Sequence, residues 1–560
     1  HEPDGPDERG PRSRPMLSVR WRRRPLALPP LLARVLALLS AGGFSGVLLH
    51  ACPPARLPQR KLVSSNSHRR PAGRGRTLKA MDVDAPQPPE PGAEAAEEPE
   101  PMRSHADSMS SRPMVLFFHD HDAALWERVT EALGSFAQRC EAGAVTDAEG
   151  LVQGIKEIRL LTRNRNTLKM FTKAADLVES KEICETKVLL EKVMPFAARL
   201  VADLKALFPE GLPYLTQKKA GQVFLTRRQC GALLAGSLFG AIPGPDLQFK
   251  VQVKRLENPG FDYGFVLDAE VTKCLCLLCY FAQLSEASED FLQEVVSFSR
   301  RVETPFALDY WRTCDKPLSR AAVQTGTIED SHGNLQADFA NEYLGGGVLQ
   351  GGNVQEEIRF SVCPECCCGM LFCEKMFWCE AIFIVGAQQF SKYSGYGGSF
   401  KFAGPHKEVH RGAKDSRGRV GPHIAALDAL VFPGKAQYEE PYILRELTKA
   451  HAACLGDPSE DAGERCRAFA TGNWGCGVFG GDPQLKALIQ WLAASVAGRD
   501  IEYYPFGDAR VAELAEVFDA IRDSGARCSD LYALLTLGHK ADNVFADVFS
   551  ALKKEAPTES

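Results

Sequence analysis

Acidic residues are missing from a long amino-terminal stretch of this 560-residue chain. Between Glu8 and Asp82 there is no Asp or Glu, although residues 1–80 carry 16 Lys and Arg. The longest uncharged apolar run in this part, Val35 to Leu49, has fifteen residues. A membrane-spanning helix needs about 20, so no stable membrane span is predicted. The run follows an Arg cluster, which is typical of a signal-peptide core or an Arg-rich transit peptide.

Residues 1–110 are interpreted as leader and spacer. Met16 and Met81 are alternative starts, so this part could equally be translated leader upstream of the true start. Residues 82–100 carry seven acids and several Pro without a base, which is typical of a disordered segment. We therefore predict a targeting or leader segment followed by a disordered acidic spacer.

An excess of positive charge is also missing from the rest of the chain. Residues 81–560 carry 50 Lys and Arg against 67 Asp and Glu. Proteins that clamp nucleic acid depend on a basic surface field. No direct nucleic-acid partner is therefore expected, and a polyanion would have to be bound at a local site.

Cysteine is abundant, but its 18 residues lack the even spacing of a small secreted disulfide scaffold. Reduced thiols in an intracellular protein are expected instead. The cluster Cys274, Cys276 and Cys279 lies in an apolar run and predicts a buried helix. The cluster from Cys363 to Cys379 could pack in the core, respond to oxidants or bind zinc, although its spacing is not that of two zinc-binding pairs. Buried packing is favoured for both clusters, and no metal is assigned.

The pattern of apolar residues changes near residue 310. Before it, Leu, Ile and Val recur at three- and four-residue spacings and predict a helical accessory region over residues 111–310; one such run is Ile155, Ile158, Leu160 and Leu161. After it, strand-like and helical runs alternate, which predicts an α/β fold with a mixed sheet over residues 311–550. The predicted strands are Leu335–Phe339, Ala381–Val385, Ile424–Leu430 and Ile501–Tyr504, and the predicted helices are Tyr442–Cys454, Pro483–Ala497 and Val511–Ile521.

A glycine-rich loop followed by two carboxylates is the first candidate site. The triplet Gly345–Gly347 permits positive φ and close backbone approach to a ligand. Glu356 and Glu357 follow at a predicted helix start, where negative charge is stabilised. Because adjacent acids repel, one of them can keep its proton near neutral pH. Such an acid can protonate a leaving oxygen and then activate water, although a solvated acidic pair in a first helical turn has the same sequence.

Two further loops have the composition of ligand-binding segments. Residues 470–483 contain five glycines before a predicted helix start at Asp482 and Pro483, where backbone N–H groups can bind a phosphate. The segment is neither a Walker loop nor a dinucleotide fingerprint, and a tight strand–helix turn is the alternative. Residues 390–400 place aromatics among Gly and Ser, which suits a mobile lid over a base or sugar, or an ordinary surface loop.

Several motifs together resemble the poly(ADP-ribose) glycohydrolase family. Gly345–Gly347, followed after seven residues by Gln355, Glu356 and Glu357, is similar to the family signature. Similar segments occur in the family's order at Tyr310–Leu318, Thr327–Glu329, Leu335–Asn341, Ala470–Gly477 and Phe506–Asp508. The resemblance covers roughly residues 190–545 and leaves residues 1–185 outside it.

The resemblance implies a fold and an activity. The fold is a macrodomain-like α/β core that follows a helical accessory region. The activity is hydrolysis of the ribose–ribose O-glycosidic bonds of poly(ADP-ribose), mainly from the chain end, with release of ADP-ribose. No metal or organic cofactor is implied, since ribosyl transfer through an oxocarbenium-like state needs acid–base help and positioning. The implied partners are poly(ADP-ribose) and poly-ADP-ribosylated proteins.

The resemblance also implies a setting in the cell. It points to the nucleus and cytoplasm, a role in the DNA damage response and a monomeric state. The Arg-rich amino terminus leaves organelle targeting as a second expectation.

The resemblance assigns roles to individual residues. Glu357 matches the acid/base, Glu356 the carboxylate that orients the ribose, and Asp338 the upstream acid that supports the site. The implied ligand contacts are Ile328 and Glu329 at adenine, Asn341, Gly346, Gly347 and Gln355 near the ribose, Tyr396 in the lid, Phe506 nearby, and Asn473, Trp474, Gly475, Cys476, Gly477, Val478 and Phe479 at the diphosphate.

Two other classes of protein stay open at this stage. A macrodomain reader would bind ADP-ribose without cleaving it, but simple binding has no use for a second acid beside an anionic ligand. A metal-binding regulatory protein would use the cysteine cluster. Digestion of the polymer by the wild-type chain separates the enzyme from the reader.

Overall fold

The computed structural model describes residues 114–115, 117–243, 260–407, 411–460, 468–540 and 543–555. The leader and acidic spacer predicted for residues 1–110 lie outside these ranges. Within them, the chain forms a mainly helical part first and an α/β part second.

The first part is helical, as the apolar spacing predicts. Asp122 and Asp147 begin two of its helices by accepting hydrogen bonds from the backbone N–H groups of Leu125 and Gly150. The helices are α1 (Phe118–His121), α2 (Ala123–Glu141), α3 (Ala148–Leu161), α4 (Lys169–Ala175), α5 (Thr186–Val188), α6 (Met194–Ala202), α7 (Leu204–Leu207), α8 (Arg227–Leu238), α9 (Gly264–Ala269), α10 (Val271–Ser285) and α11 (Glu289–Leu292), with a π-helical segment Leu189–Val193 before α6.

Helix α3 shows how the apolar spacing becomes packing. Ile155 and Ile158 are buried in the core of this part, as expected from their spacing. Leu160, which belongs to the same apolar run, is 55% exposed. Two residues advance an α-helix by about 200°, so Leu160 lies on the opposite side from Ile158.

Helix α10 confirms the buried-helix prediction for the first cysteine cluster. Cys274, Cys276 and Cys279 are all buried. Because burial disfavours the thiolate, it raises the pKa of Cys276 to about 12 and that of Cys279 to about 11. These thiols therefore pack as small apolar groups.

An eight-stranded mixed sheet lies at the centre of the second part. The strands of the described chain are β1 (Met114–Val115), β2 (Leu212–Pro213), β3 (Gly221–Thr226), β4 (Val295–Val302), β5 (Ala321–Val323), β6 (Leu335–Asp338), β7 (Glu380–Val385), β8 (Ser391–Ser394), β9 (Lys401–Pro405), β10 (His423–Ala426), β11 (Ala468–Gly472) and β12 (Asp500–Tyr504). The order of the strands in the large sheet is β3-β4-β7-β10-β6-β11-β12-β5. Strands β10, β6, β11, β12 and β5 run parallel, and β7, β4 and β3 continue the sheet in antiparallel pairs.

Both faces of this sheet are covered. Along β7, Ile382 and Ile384 pack into one apolar core, whereas Ala381 and Phe383 pack into the other. Successive side chains of a strand point to opposite faces, so a strand buried on both sides consists of apolar residues throughout. Strands β3 and β4 come from the chain before residue 310, so the helical part also supplies an edge of the sheet.

The helices of the second part match the predicted alternation. They are α12 (Leu308–Thr313), α13 (Gln355–Val362), α14 (Gly369–Phe372), α15 (Glu440–Cys454), α16 (Pro483–Val496), α17 (Leu514–Asp523), α18 (Cys528–Leu535) and α19 (Val544–Glu555). The strand predicted at Ile424–Leu430 ends at Ala426 in the structure. Leu427 N–H still donates to the Asp338 carbonyl at 3.2 Å, and the apolar residues that follow the strand, such as Leu427 and Ala429, are buried in a loop.

Strands β8 and β9 form an antiparallel hairpin outside the large sheet. It contains the aromatic segment predicted as a lid, and Tyr396 lies at its turn with 56% of its surface exposed. Among the described helices, none combines the length and the apolar composition of a membrane span.

Candidate active site

The predicted site loops meet at one edge of the sheet. Strands β6, β10, β11 and β12 run parallel, so their carboxyl ends lie side by side. Asp338 ends β6, and the glycine triplet and the two glutamates follow it. The glycine-rich loop 473–482 follows β11, and Phe506 follows β12. Ligands of such sheets bind beyond the carboxyl ends of the strands.

The paired glutamates lie in the first turn of α13, and both are buried. Glu357 reaches back to the start of its own helix, where its Oε2 accepts a hydrogen bond of 2.9 Å from the backbone N–H of Val354. A glutamate at the third helical position that bonds the cap residue's N–H is a common way to begin a helix. The predicted helix start is therefore confirmed, but the acidic pair is not solvated.

Backbone N–H groups hold both carboxylates in fixed positions. Glu356 accepts from Asn341 (2.9 Å) and Gly345 (2.6 Å), one on each oxygen. Glu357 accepts from Gly347 through its other oxygen, Oε1, at 2.9 Å. The glycine-rich loop thus orients the acids by its amides, while each carboxyl oxygen keeps a lone pair for a further partner.

Gly346 shows why this loop requires glycine. Its φ of +50° lies in the left-handed region, which side chains rarely adopt. A Cβ at this position would lie 2.6 Å from Glu356 Oε2 and 2.7 Å from Glu357 Oε1. The backbone therefore passes closer to both carboxylates than any side chain would allow.

Asp338 is a third acid of this site. It is fully buried, and neither of its carboxyl oxygens has a hydrogen-bond partner among the described residues. Burial, opposed by Arg359 and reinforced by the charges of Glu357 and Glu329, raises the pKa of Asp338 to about 8. Burial and the neighbouring acids Asp338 and Glu357 also raise the pKa of Glu356 well above its ordinary value. The site can therefore hold protonated carboxyl groups near neutral pH.

The adenine-side residues lie in a 3-10 turn, Ile328–Asp330, just before β6. Ile328 is buried, whereas Glu329 keeps about a fifth of its side chain exposed (19%). The backbone carbonyl of Glu329 accepts a hydrogen bond of 3.3 Å from Gln336. The side chain of Glu329 also forms an ion pair with Arg359 of the glutamate helix, which places it close to the acids.

Gln355 and Asn341 were predicted near the ribose, and both form hydrogen bonds mainly within the protein. Gln355 accepts from Phe339 N–H (2.9 Å) and donates to the Ala337 carbonyl (3.2 Å), so its amide links α13 to the end of β6. The Asn341 side chain accepts a hydrogen bond of 3.0 Å from Tyr343 N–H. Both residues shape the loop that carries the glutamates.

Tyr396 lies near the start of the glutamate helix. Burial raises the pKa of its hydroxyl, opposed by the backbone N–H of Gln355 and reinforced by the charge of Glu357. The neighbouring Gly397 N–H donates to Asn353 O at 2.9 Å. The hairpin turn is thus joined to the loop before the acids, although the ring itself remains largely exposed.

The glycine-rich loop after β11 presents backbone to solvent and side chains to the core. Trp474 is buried and donates to the Leu427 carbonyl at 3.0 Å. Cys476 is also buried, which raises its thiol pKa well above the ordinary value. Gly477 and Val478 are exposed. A ligand would therefore meet Trp474 and Cys476 only through their backbone.

Packing under this loop depends on a second required glycine. Gly475 has a φ of +74°, and a Cβ there would lie 2.5 Å from Ala429 Cβ. The helix α16 that follows begins as predicted, with the Asp482 side chain accepting from the N–H groups of Gln484 and Leu485. The loop thus lies at a helix N-terminus, where anions are stabilised.

The remaining predicted residues lie in the loops after β11 and β12. Asn473 donates to the Pro505 carbonyl (2.9 Å) and accepts from the Tyr503 hydroxyl (2.8 Å). Phe479 is half-buried, and its carbonyl accepts from Phe432 N–H at 2.8 Å. Phe506 is 58% exposed with a φ of +53°. Strained backbone at an exposed aromatic is often found at functional sites.

Two residues near the site, Arg359 and Phe432, were not predicted from the sequence. Arg359 is buried and forms an ion pair with Glu329 and a hydrogen bond of 2.6 Å with Gln336 Oε1. Its position three residues after Glu356, a spacing that places side chains on the same side of a helix, could have indicated a counter-charge for that acid. Phe432, exposed and with a φ of +49°, had no sequence signal.

The second cysteine cluster lies behind α13 and is buried. Burial raises the thiol pKa of Cys363 and of Cys367 to about 12, and the same cause raises that of Cys366 well above its ordinary value. A protonated, buried thiol is a poor metal ligand and a poor nucleophile. Within the described ranges, no three His, Cys, Asp or Glu side chains converge as a metal site would require.

Comparison with known families identifies both parts of the fold. Residues 308–513 match the family described as poly(ADP-ribose) glycohydrolase, macro domain fold. Residues 182–300 match the family described as its helical domain. The chain therefore combines a macro domain with the helical domain that accompanies it.

Curated relatives match over most of the chain. Poly(ADP-ribose) glycohydrolase 1 of Arabidopsis thaliana is 31% identical over 528 residues, which cover 78% of this chain and 94% of the relative. Poly(ADP-ribose) glycohydrolase 1 of Caenorhabditis elegans is 32% identical over 382 residues, which cover 65% of this chain and 46% of the relative. The chain belongs to the poly(ADP-ribose) glycohydrolase family, a family of glycoside hydrolases.

Proposed function

We propose that this chain hydrolyses the ribose–ribose bonds of poly(ADP-ribose), mainly from the chain end, with Glu357 as the general acid and base. The observation that carries the proposal is the pair of buried glutamates held by the amides of the glycine-rich loop. Family membership supports the reaction class. The arrangement of Glu356, Glu357 and Asp338 supports the assignment of roles.

Glu357 has the geometry that an acid/base needs. Its two oxygens accept from Gly347 and Val354, which fixes the direction of the carboxyl group. In its protonated form it donates a proton to the departing ribose oxygen as the glycosidic bond breaks. The resulting carboxylate then removes a proton from the attacking water, which restores the protonated acid.

Glu356 would orient the ribose, and Asp338 would limit the negative charge of the site. Glu356 is held by Asn341 and Gly345 and is directed to orient the ribose hydroxyls. Asp338 lies beneath and holds a proton near neutral pH because of its burial. Neutral carboxyl groups limit the repulsion between this acidic site and the diphosphate of the substrate.

The diphosphate would bind to the loop 473–479 at the start of α16. Exposed backbone at Gly477 and Val478 can donate N–H groups to phosphate oxygens. Phe506 and Glu329 lie at the neighbouring edge and would contact the adenine, and Tyr396 would close over the ribose. This arrangement binds one terminal ADP-ribose and needs no long basic track, in keeping with the acidic charge of residues 81–560.

Polymer digestion by Glu357→Gln and wild-type protein tests the assignment. The amide keeps the shape of the side chain but cannot donate and recover a proton in this way. We expect ADP-ribose affinity within about threefold of wild type and a loss of turnover of at least about 10²-fold. A variant that digests the polymer at the wild-type rate would refute the role of Glu357.

The same assay decides between enzyme and reader. A non-catalytic reader would bind ADP-ribose and leave the polymer intact even as the wild-type chain. The two buried glutamates favour the enzyme, because a site that only binds an anion gains nothing from two carboxyl groups held in fixed directions by backbone N–H groups.

A further inference from the structure

Lys273 connects the helical part of the chain to the loop that orients Glu357. It lies near the start of α10, and only 3% of it is exposed. Its ammonium group donates to the carbonyl oxygens of Val348 and Gly352, each at 2.7 Å. A buried lysine needs such partners, because an unpaired ammonium would be costly to desolvate.

The two carbonyls belong to the loop between the glycine triplet and α13. Inside it, Gly352 N–H donates to Gly347 O at 2.9 Å, so the loop closes on itself. The N–H of Gly347 in turn donates to Glu357 Oε1. Lys273 therefore holds this loop from outside. The same loop contains the Gly347 amide that orients Glu357, the proposed acid.

The backbone that Lys273 holds at Gly352 lies directly against the carboxyl group of Glu357. A Cβ at Gly352 would lie 2.8 Å from the Glu357 carboxyl carbon and from its Oε1, so the Gly352 backbone packs directly against this group. A shift of Gly352 after loss of Lys273 would move the carboxyl group. Misplacement of a reacting group by about 1 Å can lower turnover by about 10²-fold.

Charge adds to this contact. The positive charge of Lys273 faces Glu357 in the first turn of α13 and Glu270 on its own side, together with the thiols of Cys276 and Cys367. Burial lowers the pKa of Lys273, and the two glutamates oppose that shift. Attraction between Lys273 and Glu357 therefore adds to the hydrogen bonds that hold the loop.

We propose that Lys273 is a positioning residue of the active site, through which the helical part sets the orientation of Glu357. The inference rests on the proposed function. Lys273 belongs to the helical part, yet it bonds the carbonyls of Val348 and Gly352, which lie 75 and 79 residues further along the chain. The helical part is therefore a component of the catalytic centre.

Full-length Lys273→Met, Lys273→Gln and Lys273→Arg test the proposal against a control, Lys316→Met. Lys316 also donates its ammonium to a backbone carbonyl, that of Val496, at 2.8 Å, but it is exposed and lies outside the site. Each variant is assayed for turnover of poly(ADP-ribose) and for ADP-ribose affinity by calorimetry.

We expect Lys273→Met and Lys273→Gln to lower kcat by about 10- to 100-fold, with the dissociation constant for ADP-ribose within about threefold of wild type. Lys273→Arg should retain most of the wild-type kcat, because its guanidinium can also donate to the two carbonyls, and Lys316→Met should match wild type.

Three results would overturn the inference. The first is kcat within twofold of wild type in Lys273→Met. The second is a fall in kcat in Lys273→Arg as large as that in Lys273→Met. The third is loss of ADP-ribose binding in both Lys273→Met and Lys273→Gln, which would assign a purely structural role. Full activity of Glu357→Gln, or an inactive wild-type chain, would instead refute the proposed function.

Discussion

Arg359 and Glu329 form an ion pair, with 3.3 Å between Nη1 and Oε1, that joins the glutamate helix to the turn at the proposed adenine edge. Arg359 is nearly fully buried and also bonds Gln336 on the central strand β6. One guanidinium thus connects the proposed acid and adenine ends of the site. A planar, five-donor group suits this bridging role better than a lysine would.

Arg359→Lys is therefore expected to weaken ADP-ribose binding. A single ammonium cannot reproduce both the ion pair and the hydrogen bond, and disrupting a buried ion pair costs about 3 kcal/mol or more. We expect at least a tenfold loss of affinity by calorimetry. Arg312→Lys is the control, since Arg312 pairs with Glu440 at an exposed position where such pairs contribute little. Equal affinity of Arg359→Lys and wild type would contradict the bridging role.

Gly346→Ala is expected to abolish turnover. The added methyl group would lie within 2.7 Å of both glutamates, so the acids or the loop must move. Gly333→Ala is a matched control, because Gly333 also has positive φ (+76°) but nothing lies within 4 Å of its Cβ position. Polymer digestion should fall by at least about 10²-fold in Gly346→Ala. If both variants lose activity equally, backbone strain alone explains the effect.

Asp338→Asn is expected to change how stability depends on pH. The folded-state pKa of Asp338 is raised to about 8 from an ordinary 3.8, so its favourable contribution is complete below pH 4 and is lost as pH rises towards 8. Asparagine cannot ionise and has no such loss. The melting temperature of the variant minus that of wild type should therefore be more positive at pH 9 than at pH 6.

The exposed aspartate Asp315 is the control for this measurement. The difference between Asp315→Asn and wild type should stay constant over the same range. A constant difference for Asp338→Asn as well would show that Asp338 does not hold a proton in the folded state at neutral pH.

Gly475→Ala is expected to weaken ADP-ribose binding without changing the acids. Its Cβ would lie 2.5 Å from Ala429, so the loop proposed to hold the diphosphate must shift. Gly498→Ala is the control, since Gly498 has a similar φ of +69° and open space around its Cβ position. Calorimetry should show at least a tenfold loss of affinity for Gly475→Ala alone. Unchanged affinity would place the diphosphate elsewhere.

Local sequence predicted the elements that carry the site. Helix α13 begins at Gln355 with two acids in its first turn, and Asp482 begins α16, as expected from cap and first-turn preferences. The predicted strand at Leu335–Phe339 is β6 within one residue. These features depend on neighbours within about four positions, which is why they are readable in the chain itself.

Contacts between distant segments could not be read in this way. Nothing around Lys273 distinguishes it from an ordinary helix lysine, yet it bonds carbonyls 75 and 79 residues further along. Trp474 and Cys476 belong to a glycine-rich loop and were predicted at the ligand, yet both side chains are buried. Burial depends on what packs against a loop, which local pattern does not contain.

The sequence by itself determined the residue types, the starts of helices α13 and α16 and the family. It supplied paired acids after a glycine triplet and placed them at a helix start, because these depend on local backbone preferences. Only the tertiary structure decided the environment of the acids. Burial of Asp338, the hydrogen bonds from Lys273 and the bridge from Arg359 arise when separate segments exclude water together, and the proton affinities of the site follow from that exclusion.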